Sequence, residues 1–189
     1  AARHNLLSYL QQRVEGGAKP RSSARLLSSM RRFYRYLLRE EVLQEDPSVR
    51  IDAPKLGRPL PKTLTELEVE KLLAAPDITT PMGMRDRAML ELLYASGLRV
   101  SELVNLTLLQ VNFQQGVVKV MGKGSKERLV PLGEEALHWM QRFMREGRGL
   151  LLGERRSDAL FPSKRGAAMS RQAFWQLIKR YAVLAGITK

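Results

Sequence analysis

The sequence has no cysteine, only two histidines and no long apolar run. Without cysteine the chain can form no disulfide, no zinc site built on thiolates and no cysteine nucleophile. Two histidines, His4 and His138, are too few for a histidine-rich metal site. A membrane span needs roughly 18 consecutive apolar residues, and no basic-then-apolar leader opens the chain. We therefore expect a cytoplasmic protein.

What the sequence has in excess is positive charge. Its 189 residues include 32 Lys and Arg against 19 Asp and Glu, which gives a net charge of +13. The apolar fraction of 44% is typical of a globular protein, so the charge does not indicate wholesale disorder. A folded protein with this charge most often binds a polyanion, usually nucleic acid. The alternative is a basic protein that has no polyanionic partner.

A proline-rich stretch, residues 52–63, predicts a semi-rigid linker between two modules, because its three prolines disfavour helix. Residues 1–51 are predicted to form a helical module. Residues 64–189 are predicted to mix helices with a β-hairpin, beginning at a capping box of Thr65 and Glu68. The first 63 residues carry 13 basic and 6 acidic groups, and the remaining residues carry 19 basic and 13 acidic groups. The predicted fold class is mainly α with a small β-hairpin or sheet (α+β).

The predicted helix over residues 22–40 has an apolar face and an arginine-rich face. At about 100° per residue, seven residues gather on the apolar face: Leu26, Leu27, Met30, Phe33, Tyr34, Leu37 and Leu38. Five residues form a stripe on the opposite face: Arg21, Arg25, Arg32, Arg35 and Arg39. Solvated helices usually mix both charge signs at i,i+4 spacing. A stripe without a carboxylate therefore favours a nucleic-acid-facing helix over a merely solvated surface.

The last predicted helix begins at the N-cap Ser170 and ends at Gly186. Arg171 and Gln172 lie in its first turn. Helices that enter a major groove present their first-turn side chains to base edges, so both residues are candidates for DNA recognition. For either residue alone, ordinary polar surface is an equally good interpretation.

Arg99 follows a glycine turn and precedes a predicted helix start. An arginine in this position can donate two hydrogen bonds to a phosphate, while the helix amides add positive potential. The alternative is that Arg99 pairs with Glu102 or another carboxylate, which is the simpler interpretation of this segment taken alone.

Lys123 lies between two glycines at the predicted tip of the hairpin formed by residues 116–121 and 127–131. Such a lysine can enter a groove and give a proton to a leaving oxygen. The alternative is a flexible, solvated turn. The segment is not a Walker A loop, since Gly124 stands where that motif requires Ser or Thr.

Taken in order, several segments resemble the tyrosine site-specific recombinases, which form the phage integrase family, and in particular their Xer type. The matching segments are SSARLLSSMRRFYRYLLRE, PKLGRPLPKTL, GLRVSEL, GKGSKERLVPLG, LFPS and SRQAFWQLIKRYAVLAGI. The resemblance implies a two-module, C-shaped DNA clamp. Residues 1–51 would be a SAM-like core-binding module and residues 64–189 the catalytic module, both incomplete.

The resemblance also implies a chemistry. Arg99 would contact the scissile phosphate, Lys123 would protonate the leaving 5′-oxygen, and a tyrosine would form a 3′-phosphotyrosyl intermediate. It implies no metal and no cofactor. The family's His-x-x-Arg motif and nucleophilic tyrosine have no assignable match in these 189 residues. We therefore expect the chain to be inactive in DNA cleavage by itself.

The partners that the resemblance implies are a double-stranded dimer-resolution site, an XerC-like recombinase in a heterotetramer and an FtsK-like DNA translocase. The implied role is the resolution of chromosome dimers before cell division. One alternative is a non-catalytic DNA-binding or architectural protein, which the missing tyrosine segment favours. Another is an RNA-associated protein, which only the charge favours, because the aromatic residues lie mostly on apolar faces.

Overall fold

The structure is a computed structural model that describes residues 2–54, 57, 63–122 and 127–188. The chain divides into two compact units, Ala1–Pro61 and Lys62–Lys189. Much of the predicted linker, residues 52–63, lies outside the described residues. The predicted boundaries at 51/52 and 63/64 therefore stay a prediction.

The described part of the first unit has two helices, α1 (Arg3–Glu15) and α2 (Pro20–Arg39). Gly17, with φ of +82°, lies in the turn between them, and Pro20 occupies the first turn of α2, where its missing N–H breaks no helical hydrogen bond. The predicted helix over residues 22–40 is confirmed as α2, with bounds that shift by one or two residues. A small core of Leu6, Leu27, Tyr34 and Ile51 holds the unit together.

The apolar face of α2 is only partly covered. Leu27 and Tyr34 are buried, whereas Phe33 and Leu38 are 55% and 40% exposed. The sequence pattern predicted that these residues share one apolar face, and the structure shows that this face is covered at Leu27 and Tyr34 but open at Phe33 and Leu38. A unit with one opposing helix and a short C-terminal segment buries a small fraction of its surface, so it covers the centre of a wide apolar face and leaves its edges in water.

In residues 63–122 and 127–188, the second unit has six α-helices, a three-stranded sheet, a 3₁₀ turn and a π-helical turn. The α-helices are α3 (Glu66–Ala74), α4 (Pro81–Ser96), α5 (Val100–Val104), α6 (Glu134–Arg142), α7 (Arg148–Leu152) and α8 (Arg171–Leu184). A 3₁₀ turn spans Leu108–Gln110, and a π-helical turn over Phe143–Gly147 joins α6 to α7.

Local sequence signals account for the helix ends in this unit. Thr65 caps α3 and forms the predicted capping box with Glu68, whose carboxylate accepts the Thr65 N–H at 2.7 Å. The Thr80 hydroxyl caps α4 by accepting the Gly83 N–H at 3.0 Å. Gly97 ends α4 with φ of +58°, a left-handed conformation that glycine adopts without steric cost.

The sheet has the order β1 (Val111–Asn112), β2 (Val117–Met121) and β3 (Glu127–Pro131), and both pairings are antiparallel. The predicted hairpin strands are β2 and β3, with Met121 opposite Glu127. β1 was not predicted, because two residues show no hydrophobic period.

The core of the second unit lies around α4, whose Met89 and Leu92 are fully buried. α8 contributes Phe174, Leu177 and Tyr181 to the same core. None of the helices in the described ranges is long and apolar enough to cross a membrane. The predicted fold class, mainly α with a small antiparallel sheet, is confirmed.

Candidate nucleic-acid interface

The arginine stripe of α2 is open to solvent. All five of its residues are exposed. Arg39 pairs with Glu40 at 3.3 Å, a contact between two exposed groups that holds it weakly. Within the described residues, the other four have no hydrogen-bond or ion-pair partner: Arg21, Arg25, Arg32 and Arg35. Because their mutual repulsion is not offset by a carboxylate, this surface is suited to a polyanion.

Tyr36 lies beside the stripe and was not predicted as part of it. Its side chain is 50% exposed, and the Arg39 guanidinium lies 5.5 Å from the ring centre. At 100° per residue it is about 60° from the line of arginines. That proximity is the sequence signal that could have identified it.

The first turn of α8 presents Arg171 and Gln172 to solvent. Ser170 begins the helix by accepting the Ala173 N–H at 3.1 Å, as predicted from its cap position. Burial of Phe174 and Leu177 on the inner face fixes the opposite face outward. Both candidate recognition side chains are therefore free to approach a ligand.

Trp175 extends the exposed face of α8 and was also missed from the sequence. It lies one helical turn after Arg171, its side chain is 53% exposed, and the Lys179 ammonium lies 5.4 Å from its ring centre. The i,i+4 spacing from Arg171 was the available signal.

Arg99 occupies the N-cap position of α5, immediately after the turn at Gly97 and Leu98. Its guanidinium Nη1 donates to Glu102 Oε1 at 2.8 Å, and its backbone N–H donates to Glu102 Oε2 at 2.8 Å. The pairing that the sequence left open as an alternative is thus present. It engages one guanidinium nitrogen, however, and the Arg99 side chain remains 63% exposed.

Glu102 binds a second arginine, Arg128 of β3. The Arg128 Nη1 and Nη2 donate to the two Glu102 carboxylate oxygens at 3.1 and 2.9 Å. These hydrogen bonds lower the pKa of Glu102 to about 2, although burial of the side chain acts in the opposite direction. Glu102 is therefore ionised at neutral pH. Two guanidinium charges surround one carboxylate, which leaves a net positive charge for a phosphate.

Lys123, the predicted proton donor, lies outside the described residues. The strands on either side of it are described, and Lys119 and Glu127 form an exposed ion pair of 2.7 Å across them. The role of Lys123 stays a prediction.

The described residues offer no assigned nucleophile or metal site. Tyr181 is buried, and its hydroxyl donates to Asp86 Oδ2 at 2.7 Å. Burial, with a smaller effect from Asp86, raises the pKa of Tyr181 to about 12, which disfavours the phenolate that attack on phosphorus requires. Among all the residues that the structure describes, no group of three His, Asp or Glu side chains could hold a metal ion.

Comparison with solved structures shows the same fold. XerH site-specific recombinase bound to a palindromic difH substrate aligns with a TM-score of 0.79 at 18% identity, covering 100% of this chain and 57% of that one. A lambda integrase dimer bound to a COC′ core site aligns with a TM-score of 0.76 at 17% identity, covering 100% and 67%.

Curated relatives match over almost the whole chain. Tyrosine recombinase XerD of Pseudomonas aeruginosa is 62% identical over 185 residues, which are 98% of this chain and 62% of the relative. Its counterpart in Vibrio cholerae is 56% identical over 182 residues, which are 96% of this chain and 60% of that relative. The chain thus spans about three fifths of the length of these relatives.

Two family models match consecutive parts of the chain. Residues 1–41 match the phage integrase N-terminal SAM-like domain, and residues 62–189 match the phage integrase family itself. The second match alone covers more than half of the 189 residues. Together with the XerD relatives, it shows that this chain belongs to the phage integrase family of tyrosine recombinases.

Proposed function

We propose that this chain supplies DNA-binding and phosphate-contacting residues of a site-specific DNA recombinase of the Xer type. Such an enzyme cuts and rejoins DNA through a 3′-phosphotyrosyl intermediate to resolve chromosome dimers for segregation at cell division. The observation that carries the proposal is the exposed guanidinium of Arg99, held by Glu102 at the start of α5. Similarity to the XerD relatives supports the XerD type over the XerC type.

The chemistry requires charge stabilisation and a proton. When a nucleophile attacks a phosphodiester, negative charge builds up on the non-bridging oxygens, and a preorganised cation lowers the barrier. Arg99 is suited to this role because a guanidinium stays charged and donates from several nitrogens. Lys123 would give a proton to the leaving 5′-oxygen. Neither step calls for a metal or a nucleotide cofactor.

Duplex DNA is the proposed ligand of the arginine stripe and of the first turn of α8. The stripe would neutralise phosphates without reading sequence, whereas Arg171 and Gln172 would read base edges. XerH and lambda integrase, which share this fold, have been solved bound to DNA, and this supports the assignment by analogy. We further propose an XerC-like recombinase as heterotetramer partner and an FtsK-like translocase as activator, on the resemblance alone.

The 189-residue chain by itself is expected to bind DNA without cleaving it, since it contains no His-x-x-Arg motif and no assigned nucleophile. A covalent protein–DNA adduct formed by this chain would contradict that expectation. A purely architectural DNA-binding role is the competing interpretation, and the binding measurement below separates the two.

The first experiment compares binding of the chain to a chromosomal dimer-resolution site and to a scrambled duplex in matched salt. We expect tighter binding to the true site, and loss of that preference in a variant with Arg171→Ala and Gln172→Ala. Arg145→Ala is the matched control, because Arg145 is exposed but lies in the π-helical turn, outside the proposed surfaces. Equal, salt-sensitive binding to both duplexes would reject sequence recognition and favour the architectural role.

A further inference from the structure

Arg128 connects the β2–β3 hairpin to the start of α5. It lies on β3 opposite Val120, and its side chain reaches Glu102, 26 residues earlier in the chain. The Arg128 side chain is 40% exposed, whereas that of Glu102 is only 9% exposed. The contact therefore joins a surface strand to a nearly buried carboxylate, which distinguishes it from an ion pair between two solvated groups.

The Glu102 carboxylate is fully engaged. Oε1 accepts from Arg99 Nη1 at 2.8 Å and from Arg128 Nη1 at 3.1 Å. Oε2 accepts from the Arg99 backbone N–H at 2.8 Å and from Arg128 Nη2 at 2.9 Å. Each oxygen thus has two donors. A two-pronged guanidinium contact fixes the plane of the carboxylate, which a single-point ammonium contact cannot do.

We propose that Arg128 is a positioning residue, which holds Glu102 in the orientation from which Glu102 directs the Arg99 guanidinium toward a DNA phosphate. Arg128 acts in this proposal through Glu102, to which it donates from Nη1 and Nη2. The inference rests on the proposed role of Arg99. It means that a displacement of β3 also changes the orientation of Arg99, so the hairpin and the phosphate site act together.

Loss of Arg128 has two expected effects. Glu102 keeps only its contacts with Arg99 and is free to rotate together with that side chain. Its pKa also rises from about 2 toward the usual value, because the Arg128 hydrogen bonds are the largest influence that lowers it. Arg128→Lys preserves the charge and removes the two-pronged geometry, so this substitution separates orientation from electrostatics.

The experiment measures how much of the DNA affinity comes from contact between Arg99 and one phosphate. The chain is bound to a series of dimer-resolution duplexes, each with a single neutral methylphosphonate at one central phosphate. For the wild-type chain, we expect the methylphosphonate at one of these positions to weaken binding on the order of tenfold. Arg99→Ala should bind that modified duplex and the unmodified duplex almost equally. Arg128→Lys should resemble Arg99→Ala, although Arg99 is intact.

The matched control is Lys119→Gln, which breaks the exposed pair with Glu127 on the same hairpin and leaves Glu102 untouched. It should lose as much affinity for the modified duplex as the wild type does, and circular dichroism should show all variants folded. The same loss of affinity in Arg128→Lys as in the wild type would overturn the positioning role. If no methylphosphonate weakens binding of the wild type, the proposed role of Arg99 is rejected instead.

A second measurement tests the positioning role without DNA. NMR of the Arg99 Nε–H signal and of the Glu102 carboxyl carbon reports the orientation and the titration of this pair. In Arg128→Lys, we expect a shifted or broadened Arg99 signal and a higher pKa of Glu102, with no such change in Lys119→Gln. Unchanged signals in Arg128→Lys would reject the inference whatever the binding data show.

Discussion

The hydroxyl of Tyr181 donates a 2.7 Å hydrogen bond to Oδ2 of Asp86, a residue 95 positions earlier in the chain. Asp86 is fully buried and also accepts from Arg85 Nη2 at 2.6 Å, while Arg85 Nη1 donates to the Pro162 carbonyl at 2.9 Å. The network joins α4, the segment at Pro162 and α8. It therefore holds the helix whose first turn carries Arg171.

Removal of that hydroxyl should destabilise the second unit. In Tyr181→Phe, the Asp86 carboxylate loses a buried donor, and a lost hydrogen bond to a buried charge costs about 1–3 kcal/mol. We expect a lower free energy of unfolding in urea, by about that amount. Tyr94→Phe is the control, since Tyr94 is 63% exposed, and it should be near neutral. Equal stability of both variants would contradict the network's role.

Gly83 has no room for a side chain. A Cβ at this position would overlap the carbonyl of Asp77, and the Gly83 N–H is held by the Thr80 hydroxyl at 3.0 Å. We expect Gly83→Ala to lower the free energy of unfolding by about 1–3 kcal/mol or more, because the start of α4 must shift. Thermal and urea unfolding measure this change.

Gly149 provides the matched control for that substitution. It lies in helix α7, and a Cβ there would meet no atom within 4 Å apart from its chain neighbours and its own helix backbone. Gly149→Ala should therefore be neutral or stabilise by up to about 1 kcal/mol, since alanine favours the helix. A Gly83→Ala chain as stable as Gly149→Ala would show that the close approach at Asp77 is not tight.

The ionised state of Glu102 predicts sensitivity to acid. The folded pKa of Glu102, about 2, lies below its ordinary value of 4.5, so its contribution to the free energy of unfolding is present above about pH 4.5 and is lost as the pH falls toward 2. Glu102→Gln should be less stable than the wild type at pH 6, by about 1–2 kcal/mol. The difference should narrow between pH 4.5 and 2, as followed by urea unfolding at each pH. A constant difference would argue against the ionic contact.

The arginine stripe predicts the salt dependence of DNA binding. Each phosphate contact adds about 0.9 to the slope of log affinity against log salt concentration. We expect the Arg32→Gln, Arg35→Gln double variant to lower that slope by about 2, equally for specific and scrambled duplexes. The single control Arg145→Gln should leave the slope unchanged, since Arg145 is paired with Glu146 at 2.6 Å. An unchanged slope in the double variant would show that Arg32 and Arg35 of α2 do not contact DNA phosphates.

Periodic features could be predicted from the sequence, and contacts between distant segments could not. The 3.6-residue period placed the arginines of α2 on one open face, and a cap signal located the start of α8 at Ser170. The same period grouped Phe33 and Leu38 with the apolar face, although both side chains are exposed. A helical pattern shows which residues share a face, but it does not show how much of that face a neighbouring element covers.

The site around Arg99 shows a similar division. The local signals in the segment 97–102 predicted a turn, a helix start and a possible pairing of Arg99 with Glu102, because those groups are within three residues of each other. Arg128 was not predicted as a partner, since 26 residues separate it from Glu102. No local rule selects one arginine over the others across that distance.

The excess of positive charge follows from the composition alone. Local sequence is enough to give the arginine stripe, the turn before Arg99 and the helix caps, because each depends on neighbours within one or two helical turns. Two contacts arise only when the unit folds: the pairing of Glu102 with two arginines and the hydrogen bond from Tyr181 to Asp86 in the core. Those contacts depend on how α5 meets β3 and how α8 meets α4. Packing of the whole unit sets these arrangements, and local propensity has no influence on them.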